Sequence, residues 1–160
     1  MKEKKDIKLY NVMFPIWMLW LFPVTWLIIL PGNFCIDLLV AVIAMRVLRV
    51  ENIKENAKKS ILYIWVFGFI ADFLGVAAMF IGGSIDTMSD IYMDPFRNSC
   101  SFLWVTGCVL LSAVCIYFFN KKICLRKTSL SEREKKQVSL SLAVFTAPYL
   151  FYLPTTLLYR

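Results

Sequence analysis

The chain has 160 residues, 59% of them hydrophobic, and a formal charge of +7. A soluble domain of this length carries roughly 45–50% apolar residues and could not bury the excess, so the composition excludes a water-soluble fold and leaves a membrane-embedded one. The charge does not read as a nucleic-acid face: 16 of the 18 Lys and Arg residues fall in three clusters (2–8, 46–59 and 121–136) alternating with apolar runs, the pattern that orients membrane proteins.

A basic start precedes the first apolar run, residues 12–30, which is too long for a signal-peptide core and has no small-x-small cleavage site after it. It reads as a retained span. Pro15 suits a first helical turn, Pro23 a kink and Pro31 an end; Trp17, Trp20 and Trp26 suit interfacial and lipid-facing anchoring. Pro31-Gly32 then reads as a tight external turn, with Asn33 as N-cap of a second span, 34–50. One long bent helix over 12–50 would put the first two basic clusters on opposite sides of the membrane, so the charge pattern favours a helical hairpin.

Residues 51–60 form a basic cytoplasmic loop, followed by a third span over 61–82. The next loop, 83–98, holds Asp86, Asp90 and Asp94 against one Arg and belongs outside; its spacing is not that of a calcium loop. A fourth span runs over 99–120 and a basic loop over 121–137, in which Ser131 and Glu134 make a capping box. The fifth span is 138–159. The sequence therefore predicts an all-α, polytopic integral membrane protein, a single transmembrane domain of five helices over 1–160. Its N-terminus would be cytoplasmic and its C-terminus extracytoplasmic, in a cell membrane of bacterial type, with anionic lipid at the cytoplasmic loops.

Asp72 is the residue that stands out. Eleven residues from Ile61 put it about 16 Å deep, near the bilayer midplane. A carboxylate there costs on the order of 2.5–3.5 kcal/mol, so it should face the bundle. Gly68, Ala71, Gly75 and Ala78 recur at helical spacing around it, where another helix can approach closely. Two roles fit: a proton- or cation-binding site, or a structural charge paired with Arg46, which sits about 6 Å from the centre of the second span.

Asn33 and Asp37, spaced i, i+4, share a face of that span and are further ion-site candidates, although the hairpin puts Asp37 about 8–10 Å above Asp72, near the outer surface. Ser101, Cys108, Ser112 and Cys115 line one face of the fourth span, a pattern that packs helices or lines a pore. In the fifth span Pro148 and Pro154 each free a backbone carbonyl four residues back, at Val144 and Leu150. Thr146, Tyr149, Tyr152, Thr155 and Thr156 are available to satisfy them. Cys35 and Cys100 both lie near the outer surface, where a disulfide is geometrically conceivable.

The chain has no His, no metal-ligand spacing and no nucleophile or phosphate-loop motif, so neither a cofactor nor a catalytic site is expected. Two readings remain. One is a small transporter or channel-like protein using an intramembrane carboxylate. The other is a non-catalytic membrane subunit that assembles with other membrane proteins. Five short spans barely enclose a cavity, so both imply a homo- or hetero-oligomer.

Overall fold

The computed structural model describes residues 23–84 and 94–154, and every regular element among them is helical. Helix α1 spans Pro23–Val47, α2 Ile53–Gly83, α3 Ser99–Phe119 and α4 Glu132–Phe145. A π-turn, Asn120–Cys124, extends α3, and a 3-10 turn, Tyr149–Tyr152, follows α4. Three of these helical stretches are long and apolar enough to cross a membrane: Leu27–Val47, Ile53–Gly83 and Ser99–Cys124. The expected first-turn Pro15, the expected anchors Trp17 and Trp20, the acids Asp86 and Asp90, and Thr155 and Thr156 lie outside the described residues.

The helices form a four-cornered bundle in which α1 packs on α2, α2 on α3, α3 on α4 and α4 back on α1. Short turns make α1 and α2 antiparallel, and α3 and α4 likewise; α2 and α3 also run antiparallel, Ala71 meeting Ser112 and Ala78 meeting Trp104. The turns at 48–52 and 125–131 meet at one end, which we call the basic end. The buried Asn56 ties them together: its amide nitrogen donates to the Glu51 carbonyl at 3.1 Å, and its oxygen accepts from the Ser129 amide and hydroxyl, each at 3.0 Å. One apolar cluster, around Met45, Ile64, Leu125 and Leu142, fills this end; a second, around Val76, Met79, Val105 and Phe151, fills the other. The outward faces carry exposed Leu27, Ile43, Leu62, Ile81, Leu103 and Leu110, as lipid contact requires.

The hairpin expected at Pro31-Gly32 is absent. α1 runs through both residues as one helix, so Asn33 caps nothing, and the spans expected at 12–30 and 34–50 merge where they are described. An open turn inside an apolar run leaves backbone groups without partners, whereas a helix satisfies nearly all of them. α2 braces the helix beside the proline. The Trp65 indole donates to the Leu30 carbonyl at 2.9 Å, and its ring packs edge-on against Phe34. The single pass also removes the turn on which the N-terminal orientation rested.

The fifth span is likewise interrupted. α4 begins with a complete capping box, Ser131 accepting from the Glu134 amide while the Glu134 carboxylate accepts from the Ser131 amide, and it ends after 14 residues. Pro148 explains the stop, because the residue before a proline is driven out of the α region. The stretch expected as a loop at 51–60 is mostly helical too, since α2 starts at Ile53.

α2 and α3 approach each other closely along Ala71, Gly75, Ala78 and Gly82. A Cβ on Gly75 would collide with the Ser112 hydroxyl and come within 2.9 Å of the Phe151 ring; one on Gly82 would collide with the Trp104 indole. Small residues leave the α2 backbone uncovered, and α3 bonds to it directly. The Ser112 hydroxyl donates to the Ala71 carbonyl and the Trp104 indole to the Ala78 carbonyl, both at 3.1 Å. On α3, Ser101, Cys108 and Ser112 are buried and Cys115 half-buried, so this stripe packs inward.

Candidate functional site

Asp37 is the middle residue of the apolar part of α1, Leu27–Val47, and Gly68 is the middle residue of α2. The two meet: the space a Cβ on Gly68 would fill lies 3.5 Å from Asp37 Oδ2. One turn further along α2 comes Asp72, and one turn back along α1 comes Asn33, because the helices are antiparallel and i, i+4 residues share a face. Asp37 therefore lies about 6 Å of helix rise from Asp72, near the centre of the bundle and not at its outer surface.

A cleft of about 290 Å³ joins these residues to the broken end of α4. Asn33 and Asp37 enter it from α1, Gly68 and Asp72 from α2, and Thr146 and Tyr149 from the segment after α4. Its rim carries the exposed Ile36, Phe145, Tyr149 and Leu150. Along α2 and α4 the cleft falls between the two apolar clusters, at the level where neither Ala71 nor Val76 closes the core.

Both carboxylates are buried, each with 6% of its surface exposed. Asp72 Oδ1 has no hydrogen-bond partner. Asp37 and Asp72 line the same cleft, as does Thr146, whose hydroxyl donates to the Leu142 carbonyl at 2.8 Å. Among the described residues the only ion pairs are Lys59–Glu55 and Lys135–Glu132, both within single helices near the basic end.

Arg46 thus makes no ion pair with Asp72. It is exposed in the last turn of α1, nine residues beyond Asp37, about 14 Å of helix rise away. Arg46 also lies toward the basic end from Asp37, whereas Asp72 lies the other way. Cys35 and Cys100 are both free thiols.

The proline-broken segment completes the site. The Val144 carbonyl, left without an amide by Pro148, accepts from the Tyr149 hydroxyl. The Leu150 carbonyl accepts from the Leu153 amide at 3.0 Å, while Pro154 follows at the edge of the described residues. Tyr152 points away from the cleft and donates to the Thr106 hydroxyl at 2.9 Å, and the buried Phe151 wedges against Gly75. These two aromatics clamp the turn onto α2 and α3, so Thr146 and Tyr149 are held against the carboxylates from the third side.

The sequence does not reveal that α4 ends inside the bundle, with its partially negative C-terminal end turned toward two acids. Nor does it reveal the depth of Asp37, which follows only once α1 is known to begin before Pro31. The arrangement brings together two buried carboxyl groups, an amide, a hydroxyl and a helix C-terminus, with no cation of the described residues beside them. Such a set attracts protons and small cations. No group of three or more His, Cys, Asp or Glu residues suited to a metal ion occurs among the described residues. No protein-family model matches the chain, and no curated protein or solved structure matches it either.

Proposed function

We propose that the chain is a small membrane transporter or channel-like protein in which Asp37 and Asp72 form a binding site for a proton or a monovalent cation. One observation carries this reading: Asp72 Oδ1 is buried without a partner, facing a cleft that holds a second buried carboxylate. An intramembrane acid of purely structural use is expected to be paired, and the expected partner, Arg46, is elsewhere. Asn33 and Thr146 are the auxiliary oxygens. Pro148 and Tyr149 belong to the segment that opens and closes access, since an interrupted helix beside an ion site is a recurrent transporter device. The basic end faces the cytoplasm of a cell membrane, by the bias of Lys and Arg toward it.

Reconstitution tests the assignment. Proton and alkali-cation flux is followed in liposomes holding the wild type, Asp72→Asn or Asp37→Asn. The wild type should conduct, and each variant should fall to the level of protein-free liposomes. Wild-type flux in both variants would remove the assignment.

A second reading, a non-catalytic subunit of a larger membrane assembly, is supported by a separate observation. An apolar groove of about 590 Å³ lies between α1 and α4 and is lined by Leu39, Ile43, Val47 and Leu140. No flux in the wild type, together with a stable oligomer or hetero-complex on native gels, would favour this reading.

A further inference from the structure

At the basic end a second, smaller cavity of about 190 Å³ opens between α2 and the π-turn that closes α3. Tyr63, Lys122, Arg126 and Lys127 line it, over a floor formed by the buried Cys124. The π-turn creates the pocket. The Leu125 amide reaches back to the Asn120 carbonyl at 3.0 Å, a five-residue step, and this wider turn keeps Asn120 and Cys124 inside while Lys122 and Ile123 stay outside. The chain then leaves the helix at Leu125, which turns Arg126 and Lys127 back toward α2.

The three cations line one cavity, and two of them stand over aromatic rings. Lys127 Nζ lies 3.5 Å from the Tyr63 hydroxyl and 5.5 Å from its ring centre, and Lys122 Nζ stands 5.7 Å from the ring centre of Phe118. None of the three forms an ion pair, and no acid lines the cavity. Three uncompensated positive charges beside one another repel, an arrangement that an anion relieves. The position matters as much as the charge. Lys122 falls within the last turn of the membrane-spanning stretch Ser99–Cys124, and Tyr63 lies near the start of the apolar part of α2, the depth at which lipid headgroups sit.

We propose that this pocket binds a phosphate group, with Arg126 as the forked donor, Lys122 and Lys127 as point charges and the Tyr63 hydroxyl as a neutral donor. At about 30 Å³ of liquid volume per water molecule, the cavity has room for roughly six, enough for a tetrahedral phosphoryl group with its oxygens. The phosphate comes from an anionic phospholipid headgroup or from solution. This is one defined site, distinct from a general attraction of basic loops to anionic membranes, and it is independent of the role proposed for Asp37 and Asp72.

The test uses the full chain in neutral detergent micelles and follows the thermal unfolding midpoint. Phosphatidylglycerol, phosphatidylcholine or inorganic phosphate is titrated in. The wild-type midpoint should rise and saturate with phosphatidylglycerol and not with phosphatidylcholine. Saturation with inorganic phosphate at a comparable concentration would support the pocket and identify a soluble source.

A variant carrying Lys122→Gln, Arg126→Gln and Lys127→Gln should lose the response. A control with Lys54→Gln, Lys58→Gln and Lys136→Gln removes the same charge elsewhere and should keep it. Should the triple variant fail to fold, Lys127→Gln alone decides, with half-saturation expected to weaken about five-fold for the one cation lost. Equal loss in pocket and control variants, or no saturable response in the wild type, would overturn the proposal.

Discussion

Glycine is the residue whose environment varies most informatively along α2. Gly68 has ordinary van der Waals room, with Asp37 Oδ2 3.5 Å from a substituent Cβ, whereas Gly75 is pressed against Ser112 and Phe151. Gly68→Ala should therefore fold normally and gain about 0.5–1 kcal/mol of stability from helix propensity alone. Gly75→Ala should lose about 1–3 kcal/mol, because Ser112 and the clamped Phe151 must both shift. Thermal or denaturant unfolding in one detergent compares the pair directly. The stripe itself is legible in the sequence as small residues at helical spacing. Which of its members faces α1 and which faces α3 is not, because that depends on how far α2 is rotated once both partners have packed.

Two helix ends illustrate which elements can be read locally. The capping box at Ser131 and Glu134 needs only the residues themselves. The hydroxyl and amide of Ser131, both donating to Glu134, hold that carboxyl below the usual glutamate range against a smaller opposing effect of desolvation. A carboxyl whose folded pKa is depressed stabilises the fold above its unfolded value and loses that contribution as pH falls through the folded one. The first turn of α4 should thus fray as pH drops below about 4.3, and Glu134→Gln should remove most of that pH dependence. Amide hydrogen exchange at residues 132–135, corrected for intrinsic rates, reports it.

At the other end of α4, Pro148 predicts a freed Val144 carbonyl, and the Tyr149 hydroxyl accepts that duty. Tyr149→Phe should cost about 1 kcal/mol and loosen the turn, again visible by exchange. By contrast, no local rule contains the passage of α1 through Pro31-Gly32, beside which Trp65 of α2 bonds the Leu30 carbonyl from 35 positions away. Local punctuation is outweighed by the apolar surroundings, in which a continuous helix satisfies nearly all backbone groups. The consequence reaches the site: a helix starting at Phe34 would put Asp37 in its first turn and Arg46 nearer Asp72, whereas α1 from Pro23 places Asp37 at mid-helix.

At the scale of the molecule, the three spanning helices and half-length α4 impose a definite sidedness that does not depend on any reading of the cleft. The turns around Asn52 and Ser129 are joined through Asn56 at one end, and the start of α3 at Asn98 lies at the other. Lys54, Lys58, Lys59, Lys121, Lys122, Arg126 and Lys127 all cluster at the first end, with Arg97 at the second. On the proposed orientation, which the positive-inside bias supports, the first end faces the cytoplasm.

Single cysteines placed at Asn52, Ser129 and Asn98, in a chain whose five native cysteines are replaced, should label accordingly. In intact cells a membrane-impermeant maleimide should reach the residue-98 position and spare the other two, and permeabilised cells should show all three labelled. Labelling of 52 and 129 on opposite sides would contradict the bundle itself. Labelling of both from outside would preserve the bundle and reverse its orientation, and with it the side from which the Asp37 and Asp72 cleft takes its ion.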